Sequence, residues 1–352
     1  MITLAVDAMG GDHGLAVTVP GAVSFLQQQP DVHLIMVGDE IPLNQALAEA
    51  KAPMSRITVQ HASQVVEMDE APQLALKNKK DSSMRVAVNQ VKEGKAQAAV
   101  SAGNTGALMA TARFVLKTVE GIERPAIAKF IPGKNNHFTL ALDLGANVDC
   151  TPEQLVQFAV IGSELVQALH PEKGSPRVGL VNVGHEDIKG TDTVKQTHKL
   201  LQGSKLNFIG NVEGGDIFNA GVDVVVADGF VGNIMLKTME GAVKFIGSSI
   251  KQEFERNLFT KASALIALPA LKGFKNRFDP RRFNGAIFLG LRGVVVKSHG
   301  GTDAVGFAFA LEEACHEARA ASIERIEQGV AAQLAALAAV RAEHAAADEA
   351  AE

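Results

Sequence analysis

The sequence predicts a doubly wound α/β fold, a three-layer αβα sandwich whose sheet is mixed but mostly parallel. Three observations carry that expectation: short apolar runs end in Gly, Asn or Asp, longer stretches of helical period separate them, and one late pair of runs lies close enough to form a hairpin. Parallel strands buried on both faces read as continuous apolar runs, and the helices joining them cover both sides of the sheet.

In chain order, Ile2–Val6 is the first such run, stopped by Asp7, and Leu15–Gln28 is the helix that returns the chain. His33–Val37 and Ile57–Gln60 are the next strands. The Ser83–Lys92 helix precedes the short run Ala98–Val100, and Ala107–Lys117 follows it. Ile127–Ile131 and Thr139–Leu142 come next, then the Pro152–Leu169 helix. Val178–Val181, the Thr193–Leu201 helix, Asn207–Ile209, Asp223–Val226 and the Ile234–Glu255 helix continue the alternation. Ala286–Leu291 and Val294–Lys297 flank Arg292-Gly293 and read as a hairpin, which makes the sheet mixed.

No period of 20–50 residues repeats and no Pro/Ser-rich linker divides the chain, so residues 1–330 read as one compound domain. From Ala331 to the end, 12 of 22 residues are Ala with scattered charge and no strong apolar stripe, which predicts a frayed tail over 331–352.

Composition excludes several function classes. The 352 residues are 47% hydrophobic and 21% charged, as in an ordinary globular protein. A formal charge of -5 gives no global positive field for a nucleic acid backbone, and 17 Phe with no Trp or Tyr leave little for base stacking, so no nucleic acid partner is expected. Cys150 and Cys315 stand far apart without a CxxC, which fits a reducing cytoplasm and neither a zinc ribbon nor a disulfide scaffold. No signal-peptide pattern opens the chain and no window approaches the roughly 18–20 apolar residues that span a bilayer, so the sequence reads as neither exported nor transmembrane.

One stretch departs from the rest. Leu258, Phe259, Ala262, Leu265 and Ile266 share a helical face before Pro269, which is expected to interrupt it. From Arg256 to Arg282 seven cations stand against the single acid Asp279, the largest local charge anomaly in an acidic chain. Such a segment suits a dimer interface or core helix, an anionic membrane surface, or the docking of an acidic carrier protein.

Standard site motifs fail. No two glycines are spaced i, i+2, so GxGxxG is impossible, and GxxxxGK[ST], HExxH and GxSxG do not occur. The chain has instead four strand-to-helix junctions rich in Gly, Asn and Asp: Asp7–Asp12, Ser101–Gly106, Asp143–Asn147 and Asp228–Asn233. In a parallel sheet these junctions share the carboxyl edge, where ligands bind. Gly lets the backbone approach closely and helix N-termini present unpaired N–H groups, so the natural guest is an anion such as phosphate. Asn104, Thr105 and Asn233 serve equally as helix caps or as phosphate donors. After Val178–Val181, the loop Asn182–Gly190 gathers His185, Glu186, Asp187 and Lys189; the adjacent acids suit a solvated loop better than a metal, and Lys189 is a counter-charge for phosphate or a surface lysine. Asn211–Asp216, with Glu213, repeats the polar Gly-rich theme, and Lys297–Gly301 places His299 at a loop tip.

Seven blocks together resemble the bacterial phosphate acyltransferase family: DAMGGD at Asp7–Asp12, SAGNTGA at Ser101–Ala107, DLGAN at Asp143–Asn147, GLVNVGHEDIKG at Gly179–Gly190, GNVEGGD at Gly210–Asp216, DVVVADGFVGNIMLKTMEG at Asp223–Gly241 and KSHGGTD at Lys297–Asp303. They match in order across about residues 1–320. The resemblance implies reversible transfer of a long acyl chain from acyl carrier protein to inorganic phosphate. Free carrier is released, and the acyl phosphate is passed to a membrane-bound glycerol-3-phosphate acyltransferase for phospholipid synthesis. It also implies a fold similar to phosphotransacetylases and isocitrate dehydrogenases, and a cytoplasmic homodimer attached peripherally to the inner membrane face, with residues 256–282 as the membrane- or carrier-facing segment.

The chemistry agrees, because phosphate is already a nucleophile at neutral pH and a thiolate leaves without much protonation. No Ser or Cys nucleophile, metal or cofactor is required; orientation, charge neutralisation and oxyanion donors suffice. The resemblance and the loop chemistry together assign Asp7, Gly10, Gly11, Asp12, Asn104, Thr105, Asn147, Asn211, Glu213, Asp228, Asn233 and Ser298 to substrate binding. Within that set Asn104, Thr105 and Asn233 hold phosphate with Lys189, while His185 or His299 donates to the oxyanion or the leaving sulfur. Of the rival classes, a dehydrogenase would need a nicotinamide site, a nucleotide-dependent phosphotransferase would need a phosphate loop with metal carboxylates, and a membrane adaptor would leave four anion-suited loops unexplained.

Overall fold

Strand side chains alternate between the two faces of the sheet, with Ala5, Ile35 and Val37 in a third, smaller cluster. Leu4, Val6, Ala98, Val100, Val294, Val296, Leu140, Leu142, Val224 and Val226 face one cluster, while Ala99, Val295, Ile127, Ala141, Val225 and Phe288 face the other. That alternation follows from the two-residue repeat of a strand, and each fully buried aliphatic or Phe side chain contributes ~1.5–3 kcal/mol. The computed structural model describes residues 1–277, 279–320 and 323–336.

The strands are β1 (Ile2–Asp7), β2 (Val32–Gly38), β3 (Ile57–His61), β4 (Ala98–Ser101), β5 (Ala126–Pro132), β6 (Phe138–Leu142), β7 (Arg177–Val181), β8 (Asn207–Val212), β9 (Val224–Val226), β10 (Ala286–Leu289) and β11 (Val294–Lys297). They form one sheet in the order β3-β2-β1-β4-β11-β10-β5-β6-β9-β7-β8. The helices are α1 (Leu15–Gln28), α2 (Glu40–Glu49), α3 (Pro72–Asn78), α4 (Ser83–Lys92), α5 (Thr105–Leu116), α6 (Pro152–Leu169), α7 (Asp192–Gln202), α8 (Gly229–Glu255), α9 (Leu258–Arg277) and α10 (Ala304–Ala320). Residues 323–336 are helical as well. The doubly wound α/β class, the mixed sheet and the late hairpin are as the sequence predicts.

Strand direction corrects one expectation. β10 runs antiparallel to both β11 and β5, and β5 runs antiparallel to β6. The sheet therefore has two oppositely directed halves. The carboxyl ends of β1, β4, β11 and β5 lie on one edge, and those of β6, β9, β7 and β8 on the other. The four Gly-rich junctions do not share an edge, because local sequence reports strand existence but not strand direction.

Helix starts are locally encoded. Thr151 and Gln154 cap α6 reciprocally, Asp228 Oδ1 accepts from Val231 N at 2.8 Å to start α8, and Asn104 Oδ1 accepts from Ala107 N at 2.9 Å to start α5. Pro269 does not interrupt α9: the carbonyl it frees belongs to exposed Leu265, where water can satisfy it. Helices α2, α3 and α10 are additional to those the sequence reading found. The Ala-rich segment is partly docked, since Leu334 packs against the core just after fully buried Ile326 and Val330. Residues 337–352 of the expected tail, and the side chains of Lys275 and Arg277 in the basic stretch, lie outside the described residues. Among the described residues no helix is long and apolar enough to cross a membrane.

Candidate functional site

At the carboxyl ends of β1, β4 and β11 three loops interlock. Asp7 is buried, its Oδ2 accepts from Ser101 Oγ at 2.6 Å, and Ser101 Oγ accepts from Gly103 N at 3.0 Å. Burial pushes the Asp7 carboxyl above its usual value, while the Ser101 hydroxyl opposes that shift. Gly10 has to be Gly, because a Cβ there would sit 2.9 Å from Gly103 N and against the Asp7 carboxylate. Asp12 N donates to Gly300 O at 3.0 Å, which closes the first loop onto the third. The helices α1, α5 and α10 begin immediately beyond these loops, so three N-termini with their partial positive charge gather at one edge.

The side chains here are held in defined roles. Asn104 caps α5 and also donates to Met68 O at 2.8 Å and Glu70 O at 3.0 Å, so its amide is committed to the fold. Thr105, the first residue of α5, is exposed and its hydroxyl has no protein partner among the described residues. Ser298 Oγ accepts from Asn284 Nδ2 at 2.8 Å, and Asn284 Oδ1 accepts from His299 N at 2.9 Å. His299 Nδ1 accepts from Gly301 N at 3.2 Å, which leaves the ring proton on Nε2 as a donor. Partial burial, then the Lys297 charge, lowers the His299 pKa, so the ring is neutral at pH 7 and donates without being an acid.

The other edge holds the second set. Buried Asp143 accepts from Ile127 N, Gly145 N, Ala146 N and Asn147 N, and Asn147 Nδ2 donates to both Asp143 Oδ2 and Pro125 O, a knot that fixes the loop after β6. Asp228 is spent on capping α8. Asn233, one turn into α8, lies against Gly145 and is exposed, with no protein hydrogen bond among the described residues. In the loop after β7, Lys189 pairs with Glu186 at 2.8 Å, and His185 donates from Nδ1 to Asn211 O at 3.1 Å while its Nε2 lies 3.6 Å from Asp216 Oδ2. The Asn211 carbonyl, chiefly, raises the His185 pKa. Buried Asn211 also meets His198 and the Glu186 carbonyl, and Glu213 is exposed beside it.

The structure thus brings Asp7, Gly10, Gly11, Asp12, Asn104, Thr105, Ser298 and His299 together, and keeps Asn147, Asp228, Asn233, His185, Lys189, Asn211 and Glu213 at the opposite edge. Within one chain, Asn104 and Thr105 do not share a pocket with Asn233 and Lys189. Helix α8 links the two edges: it starts beside Asn147, and Lys237 and Glu240 reach the electrostatic neighbourhood of His299. Between α8 and the end of β5 runs an apolar groove of about 610 Å³, lined by Ile131, Met235, Met239, Ile246 and Phe283 among others. Phe283 adjoins Asn284 and hence His299.

Sequence reading passed over Ser101, Lys297 and Asn284. Ser101 and Lys297 end strands and open the SAGNTGA and KSHGGTD blocks, which is their signal; Asn284 sits in a turn far from the Gly-rich loops and has none. Among the described residues no three His, Cys, Asp or Glu side chains converge as a metal site. The burial of Cys150 pushes its thiol up to about 12, so it is no ready nucleophile.

With that geometry in place, similarity adds the family. A family described as "Fatty acid synthesis protein" matches residues 2–325. A phosphate acyltransferase of Neisseria meningitidis serogroup A is 77% identical over 337 residues, covering 96% of each chain, and one of Chromobacterium violaceum is 61% identical over 334 residues, covering 95% of this chain and 96% of its own. Among solved structures, a phosphotransacetylase of Streptococcus pyogenes shares the fold with TM-score 0.59 at 16% identity, covering 90% of this chain and 94% of its own. A branched-chain phosphotransacylase of Enterococcus faecalis does so with TM-score 0.57 at 13% identity, covering 90% and 99%. The chain is an acyltransferase and belongs to the fatty acid synthesis protein family, among its phosphate acyltransferases.

Proposed function

We propose that the chain transfers a long acyl group from acyl carrier protein to inorganic phosphate, for phospholipid synthesis by a membrane glycerol-3-phosphate acyltransferase. A phosphate oxygen attacks the thioester carbonyl, the carbonyl oxygen carries the negative charge of the tetrahedral intermediate, and its collapse breaks the C–S bond and expels the carrier thiolate. The chain's task is to seat phosphate, hold the carbonyl beside it and stabilise the oxyanion.

The observation that carries this reading is the interlock of three loops and three helix N-termini at the edge of β1, β4 and β11, joined to an apolar groove through Phe283, which lines the groove and precedes Asn284 in the chain. The backbone N–H groups of Asn104 and Gly300 donate to no protein acceptor among the described residues and, with the Thr105 hydroxyl, suit phosphate oxygens. His299 Nε2–H suits the oxyanion as a neutral donor, and the groove beside α8 suits the acyl chain. The test is phosphate-dependent release of carrier thiol from a long-chain acyl carrier protein. Release without phosphate would make the protein a thioesterase.

A second placement of phosphate is favoured by Lys189 and Asn233. Both are exposed, and Ile188, Phe230 and Ile234 around them are exposed apolar side chains at 83%, 59% and 50%. Lys189→Met separates the two: a raised phosphate KM puts the subsite at the β6–β9 edge, and an unchanged one leaves it at the β1–β4 edge.

We also propose that α8 and α9 serve a homodimer, the carrier or an anionic membrane surface in the cytoplasm. Phe259 and Ile266 are 82% and 87% exposed beside Arg256 and Lys261, so the hairpin presents apolar area next to cations.

A further inference from the structure

Lys297 is the last residue of β11 and only 8% exposed, yet its ammonium has no carboxylate within 4 Å among the described residues. It donates instead to two backbone carbonyls, Ala102 O at 3.2 Å and Ser298 O. Those carbonyls open two different loops, the one from β4 into α5 and the one from β11 into α10. An ammonium has three N–H donors, and the third meets no protein acceptor among the described residues. Asp7, whose charge acts on the ammonium, has its Oδ1 buried and likewise without a hydrogen-bond partner among the described residues. A buried cation tied only to neutral carbonyls is costly, and an apolar side chain of the same length would remove the cost. The compensation fits an anion that arrives with the substrate.

We propose that Lys297 is the positioning residue of the phosphate subsite: it ties the Ala102 and Ser298 carbonyls together, so that the amides beyond them face one anion, and sets a fixed positive charge beneath that anion. The inference rests on phosphate binding at the β1–β4 edge. Gly103 N, His299 N and Ala107 N are already taken by Ser101 Oγ, Asn284 Oδ1 and Asn104 Oδ1, so the amides left for the anion are those of Asn104, Gly300, Thr105 and Gly106. Holding the Ala102 and Ser298 carbonyls fixes the planes of the Ala102–Gly103 and Ser298–His299 peptides, which immediately precede the peptides carrying the Asn104 and Gly300 amides. The charged groups around Lys297 are Asp7 and Asp12 from β1 and the loop after it, both favouring the cation, and His299 on its own loop; β4 and its loop contribute none nearer than these. Burial dominates and brings the ammonium down to about 8.

The consequence is an alkaline limb that phosphate itself cannot produce. Phosphate becomes more ionised and more nucleophilic as pH rises, whereas the subsite loses its cation above about pH 8. For the wild-type protein, kcat/KM for phosphate is expected to fall above that pH. Lys297→Met is expected to raise the phosphate KM by about tenfold or more, to change the acyl carrier protein KM by less than about twofold, and to abolish the limb. Lys297→Arg keeps the charge, so it is expected to restore much of the phosphate affinity and to carry the limb beyond the measurable range. It also serves where the Met variant does not fold.

An unchanged phosphate KM in Lys297→Met, or a limb that persists in Lys297→Arg, overturns the inference. If Gly300→Val still raises the phosphate KM in that case, the subsite stands and only the role of Lys297 fails. If Gly300→Val and Lys297→Met both leave it unchanged while Lys189→Met raises it, the placement of the subsite fails with it.

Discussion

The Ser101 hydroxyl donates to Asp7 Oδ2 at 2.6 Å and accepts from the Gly103 amide at 3.0 Å, so one small side chain ties the end of β1 to the loop after β4. Ser101→Ala leaves a buried carboxyl oxygen and a loop amide unpaired. Urea unfolding is expected to show a loss of ~1–3 kcal/mol, and phosphate turnover to fall with it. A stability equal to wild type would show that the pair does not hold the loops.

Removing the His299 ring is expected to act on kcat. His299→Ala should lower it by about 10²–10³-fold, the usual effect of deleting one oxyanion donor, with phosphate KM within about twofold. Because the folded ring titrates below the ordinary imidazole value of 6.5 and its protonation at Nδ1 leaves the Nε2–H donor in place, no limb from His299 is expected in the wild-type kcat profile above that pH. A parallel rise in phosphate KM would move His299 to phosphate binding.

Burial, then the neighbouring Glu312, pushes the Glu313 carboxyl up to about 7 from an ordinary 4.5. The folded state thus holds a proton that the unfolded chain releases, so the contribution to stability is full below pH 4.5 and is lost as pH rises through about 7. Glu313→Gln should be the more stable protein at pH 8, by ~1–3 kcal/mol, and equal to wild type near pH 4. Chemical denaturation at both pH values measures this, and no difference between them would contradict it.

The exposed face of α9 is expected to matter for assembly and not for the chemistry. Leu265→Glu with Ile266→Glu should abolish sedimentation with anionic vesicles while leaving turnover of soluble acyl carrier protein intact. Lost turnover with retained sedimentation would assign the face to the carrier.

Most strands are legible because their apolar runs are buried on both faces, and six helices because their apolar residues recur at helical period. What local pattern does not encode is direction: nothing in the residues of β6 says that the turn at Gly133–His137 reverses it against β5, and the whole second half follows. That reversal split the Gly-rich loops between two edges. It also separated Lys189 and Asn233 from Asn104, although each residue reads alike in sequence. Lys297 was passed over for a related reason, since its chemistry comes from the β4 loop, far away in sequence, and the residue itself reads as the polar end of a strand. Pro269 misled because a helix breaker is judged by its ring, while its tolerance depends on whether the freed carbonyl reaches solvent.

The most direct test of the account is the release of carrier thiol from purified long-chain acyl carrier protein, followed with and without inorganic phosphate, with hydroxylamine trapping of the product. The expected result is thiol release that requires phosphate and yields one trappable acyl group per thiol. Release that proceeds equally without phosphate, or phosphate-dependent release with no trappable acyl product, would contradict it.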